Sequence, residues 1–96
     1  MASESIPAEL LEVRGKIDLI DKELLALLGE RFRLTHQVGL LKASKALQAL
    51  DTTREAEKLA ELRALCETHN LNPELITELF SKIMEEVVRN HKELRG

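Results

Sequence analysis

Apolar residues recur through the first part of the chain at Leu10, Val13, Ile17, Ile20, Leu24 and Leu27, in steps of three and four. That spacing marks one face of an α-helix. Continued, the same steps land on Arg31, then Leu34, Val38 and Leu41, with Lys42 one residue beyond. Helix formation alone gives no reason for an arginine on a face that has stayed apolar for about five turns.

The stripe predicts a first helix from near Pro7, a residue suited to the first turn, to about Lys42. At 1.5 Å per residue, its roughly 36 residues reach about 54 Å. Gly15, Gly29 and Gly39 lie inside it, each costing up to about 1 kcal/mol relative to alanine, so packing must override propensity there. The segment KASKALQALDT has weaker periodicity and reads as a last turn, a loop, or both. A second helix is expected to open around DTTREAEKLAELRALCETH. Thr52 with Glu55 makes a capping-box pattern, and Asp51 adds negative charge at the start. Ala56, Leu59, Leu62 and Cys66 form its apolar face. Asn72 as N-cap, Pro73 at the first position and Glu74 after it open a third helix. That helix carries Ile76, Leu79, Phe80, Ile83, Met84, Val87 and Val88, and reaches His91 and Leu94. No strand pattern or repeat occurs. The expected fold class is all-α, three helices per chain with one very long N-terminal helix, in a single domain over residues 1–96.

A helix of about 54 Å outruns a globule whose radius of gyration would be about 12 Å. The other two helices, placed end to end, could cover it only as a thin rod that buries little. A second chain laid antiparallel would cover the exposed part of the stripe, so an intertwined homodimer is expected.

Composition narrows the function classes. The chain is 44% hydrophobic and 32% charged, which excludes intrinsic disorder. Phe32 and Phe80 are its only aromatic residues, so stacking platforms for single-stranded nucleic acid are missing. A net charge of −3 provides no basic field for duplex DNA or anionic membranes. Cys66 is the single cysteine, which rules out an intrachain disulfide or a cysteine metal cluster. The N-terminus does not read as a signal peptide, and no apolar run approaches the roughly 18 residues of a membrane span. A reducing cytoplasm is the expected compartment.

Positive charge must therefore act locally. Arg31 could snorkel from a helix edge or pair with a glutamate, yet burial in mid-stripe without a partner costs several kcal/mol. Lys42, eleven residues on, lies about 20° round the helix and about 16 Å away, so the two could clamp a small anion. Arg14 stands about 25 Å before Arg31 and about 100° round. It could reach the same ligand only from the partner chain of an antiparallel dimer; a solvated arginine is the plain alternative. Arg54 and Glu55 open the second helix, where a helix N-terminus also offers free N–H groups to an anion or hydroxyl; a cap is the alternative for Glu55. His91 near the end of the third helix reads as a core or helix-end histidine, and His36 and His69 as surface residues. No histidine–carboxylate cluster at ligand spacing points to a metal.

The order R(14)GKIDLIDKELLALLGER(31)…VGLLK(42)…D(51)TTR(54)E(55), followed by LNPELITELFSKIMEEV, resembles the all-helical chorismate mutase family over residues 9–92. The resemblance implies an intertwined dimer with two equivalent sites that rearranges chorismate to prephenate, without cofactor, nucleophile or general base. It further implies that Arg31, with Arg14 of the other chain, holds substrate carboxylates through bidentate hydrogen bonds. Lys42 would meet the negative charge that grows on the ether oxygen. Asp51 and Glu55 would engage the ring hydroxyl, with Arg54 completing the polar wall. Two positions depart from the family pattern. Val87 stands where a small hydroxyl residue is frequent, and His91 where a glutamine commonly donates to the ether oxygen. Relatives acting on isochorismate as pyruvate-lyases, or on 4-amino-4-deoxychorismate as mutases, are the alternatives, and Glu55 directly after Arg54 favours the mutase over the lyase. A non-catalytic helical dimerisation module is the alternative of another class, and cations at Arg31 and Lys42 argue against it.

Overall fold

The computed structural model of the chain describes residues 6–95. Pro7 opens the first helix: its carbonyl accepts from Leu10 N at 3.0 Å and Leu11 N at 3.2 Å. The helices are α1 (Ala8–Ser44), α2 (Thr52–His69) and α3 (Pro73–Glu93), and the described residues contain no strand. The all-α expectation holds, and α1 is two residues longer at its C-terminal end than the stripe indicated. The chain divides into two units between residues 33 and 34.

In the first unit the stripe residues Leu10, Val13, Ile17, Ile20, Leu24 and Leu27 are all exposed in the single chain. Exposed ion pairs, Glu12 with Lys16 and Glu30 with Arg33, run along the helix surface at 3.8 Å. Pairs of this kind contribute little.

The second unit holds the end of α1 together with α2 and α3. Cys66 on α2 is buried, and its thiol donates to Leu62 O. Half-buried Leu59 and Leu62 share that helix, whereas Ala56, expected on its apolar face, is exposed. From α3, Met84 is buried and Ile76, Phe80, Ile83, Val87 and Val88 are half-buried; Leu79 remains exposed. Between the two helices Asn70 adopts the left-handed conformation at φ 56°. Leu71 N then reaches back to Cys66 O at 2.9 Å, satisfying carbonyls that the helix end would leave orphaned. Asn72 accepts from Glu74 N as the expected N-cap, with Pro73 behind it. Arg63 of α2 bonds Glu74 of α3 at 2.7 Å. That hydrogen bond, then the guanidinium charge, holds the Glu74 carboxyl below its usual range.

A close approach in this unit occurs at Gly39. A Cβ there would meet His91 Cδ2 at 2.5 Å and Leu94 Cδ1 at 2.8 Å. The missing side chain is what allows the end of α3 to lie against α1, and it offsets the propensity lost by a glycine in mid-helix. At Gly15 an added Cβ would meet nothing within 4 Å.

The two glycines should therefore respond oppositely to the same change. Gly15→Ala should stabilise the protein by about 0.5–1 kcal/mol through helix propensity. Gly39→Ala should destabilise it by about 1–3 kcal/mol through overpacking. Urea denaturation at one fixed protein concentration measures both.

Candidate active site

The eight residues singled out by the sequence lie in both units. Arg14 and Arg31 belong to the first, where Arg14 is exposed and Arg31 half-buried. Lys42, Asp51, Arg54, Glu55, Val87 and His91 belong to the second.

On α1, Thr35, Gly39 and Lys42 are spaced four and three apart and so share one face. His91 packs on that face. Its ring is 3% exposed, with Nε2 2.8 Å from the Thr35 carbonyl oxygen. A carbonyl can only accept, so Nε2 carries the proton. Nδ1 is enclosed and has no hydrogen-bond partner. In the neutral ring Nδ1 is then a bare acceptor, and only the doubly protonated ring offers N–H there. Val87, one turn before His91 on α3, is half-buried on the same side of the helix.

Lys42 is half-buried one turn beyond Gly39, and its ammonium donates to Ala49 O at 3.3 Å. Sequence reading did not find that partner, because a backbone carbonyl seven residues ahead has no side-chain signature. The connection from residue 45 to residue 51 carries the chain from Lys42 to α2.

The start of α2 corrects the expected cap. Asp51, not Thr52, is the N-cap: its Oδ1 accepts from Arg54 N at 3.0 Å. Both residues are good caps. The helix begins at Thr52, which puts Asp51 in the flanking position and moves Glu55 past the place a capping box requires. Glu55 is half-buried, and no hydrogen bond to its carboxylate is found among the described residues. Arg54 is exposed. His36 and His69 are exposed, as expected. Among the described residues no group of histidine, cysteine and carboxylate side chains is placed to hold a metal ion. No helix of these residues is long and apolar enough to cross a membrane.

Fold and charge placement define an all-helical domain with cations set on otherwise apolar helix faces. The sequence profile of chorismate mutase type II matches residues 13–92, and the chain belongs to that family. It is 39% identical over 85 residues to the bifunctional chorismate mutase/prephenate dehydratase of Escherichia coli (strain K12), covering 88% of this chain and 22% of that protein. Similarity to the T-protein of Enterobacter agglomerans is 38% identity over 79 residues, 82% of this chain and 21% of that one. The bifunctional protein of Buchnera aphidicola subsp. Acyrthosiphon pisum (strain APS) is 38% identical over 85 residues, 88% of this chain and 22% of the relative. The chain thus spans about a fifth of the length of these curated relatives.

Because Asp51 serves as a cap, its variants separate stability from ligand contact. Asp51→Ala should lower stability by about 1 kcal/mol, and Asp51→Asn should keep it within a few tenths, since asparagine caps as well as aspartate. Thermal denaturation of the two variants beside the parent measures the difference.

Proposed function

We propose that this chain is a chorismate mutase, working as a cytoplasmic homodimer whose two sites each draw on both chains. The observation that carries the reading is the match to the family over residues 13–92, with Arg14, Arg31, Lys42, Asp51, Arg54 and Glu55 at the spacing quoted above. The exposed apolar stripe of α1 supports the dimer: its leucines and isoleucines need a surface that a single chain does not supply.

The chemistry asks little of a protein beyond position and charge. Chorismate carries two carboxylates, and its enolpyruvyl arm must fold over the ring before the new C–C bond forms and the ether C–O bond breaks. Arg31, with Arg14 of a second copy, would hold the carboxylates in that folded arrangement. Lys42 would stabilise the negative charge developing on the ether oxygen. Glu55, with no competing hydrogen bond, and the second oxygen of Asp51 would receive the ring hydroxyl, with Arg54 beside them. His91, with Nε2 spent on Thr35 and Nδ1 enclosed, would support the pocket wall from behind. Val87 would line the pocket as an apolar wall.

The assignment is tested by incubating the full chain separately with chorismate, isochorismate and 4-amino-4-deoxychorismate and identifying the products. Prephenate from chorismate is expected. Salicylate and pyruvate from isochorismate, or rearrangement of the amino compound alone, would contradict it.

Lys42→Ala should lose about 100- to 1,000-fold in turnover, as for removal of one electrostatic donor. Its stability should fall by only about 1 kcal/mol, from the lost bond to Ala49. Steady-state kinetics and urea denaturation of the same preparation separate the two effects.

A further inference from the structure

The connection between α1 and α2 is tied down at several points. It opens with Ala46 in the left-handed region at φ 58°, a conformation that alanine adopts only under constraint. Leu47 N donates to Lys42 O at 2.8 Å and closes the end of α1. Ala49 is buried, and its carbonyl holds the Lys42 ammonium at 3.3 Å. From the far end of the chain, just past α3, the Arg95 guanidinium donates to Leu47 O. Two residues after Ala49 the connection ends at the Asp51 cap.

We propose that this connection is a strap that positions Lys42 for the chorismate rearrangement, and that Arg95 is the positioning residue that holds the strap in place. The proposal rests on the mutase reading above. A lysine ammonium has three donors on a flexible four-carbon stem. Ala49 takes one donor and fixes the head of the stem, leaving two for substrate. A misplacement of about 1 Å at a reacting group can cost about 100-fold in rate. Residues that set where the ammonium stands therefore act on turnover without touching substrate.

The test compares the full-length parent with Arg95→Ala, Arg95→Lys and Ala46→Val in steady-state kinetics on chorismate, with helicity followed by circular dichroism. Ala46→Val places a β-branched residue at positive φ and loosens the strap one residue before the carbonyl that Arg95 holds. Both Arg95→Ala and Ala46→Val should lower kcat about three- to tenfold, the worth of one hydrogen bond, with KM within about twofold of the parent. Arg95→Lys should recover most of the loss, and helicity should be unchanged throughout. Parent-like kcat in both variants, or a loss that Arg95→Lys does not relieve, would overturn the strap and leave the mutase assignment standing. A parent that does not convert chorismate would overturn the assignment and the strap's catalytic role together.

Discussion

The end of α3 can lie against α1 only because residue 39 has no side chain. With Gly39 giving way, the His91 ring rests on the helix and hands its Nε2 proton to Thr35. Leu94 follows it into the same contact. The C-terminal end of α3 is then near enough for Arg95 to reach the Leu47 carbonyl. Lys42 stands one turn further along the same face of α1. One absent methyl group thus governs where the His91 ring sits and where the chain beyond α3 can act.

The second organising feature is charge on apolar faces. A half-buried cation loses hydration, and something must compensate it. For Lys42 the compensation among the described residues is a single carbonyl for three donors. Such a group is built into the fold and still has hydrogen bonds to give, which supports the role proposed for it at charge that appears only in a transition state. Asp51 is similar on the negative side: one oxygen caps α2, and no hydrogen bond to the other is found among the described residues. In both cases the hydrogen bond to backbone fixes the head group without exhausting it.

Local signals were legible in the sequence, and contacts between distant segments were not. The stripe set the start of α1 to within a residue, and Asn72–Pro73–Glu74 marked the start of α3 correctly. The α2 cap was misplaced by one residue because Asp51 and Thr52 are both competent caps, and the path of the chain out of the strap chooses between them. Ala56 turned out exposed because a single small residue says little about which side of a helix is covered. The pairing of Gly39 with His91 joins residues far apart in sequence and has no local signature. Its only trace was a glycine kept in mid-helix at a cost. Arg31 was visible because it interrupts a period that is otherwise apolar, and Lys42 because it stands one residue beyond that period's end.

The proposed function rests on sites shared between two copies of the chain, with Arg31 from one and Arg14 from the other. Arg14→Ala protein and Arg31→Ala protein, each deficient alone, should be mixed under conditions that exchange subunits and assayed for chorismate turnover. Shared sites require that each heterodimer regain one intact site of two, so activity should appear on mixing and grow with exchange. Absence of recovery, with exchange demonstrated independently, would contradict the account.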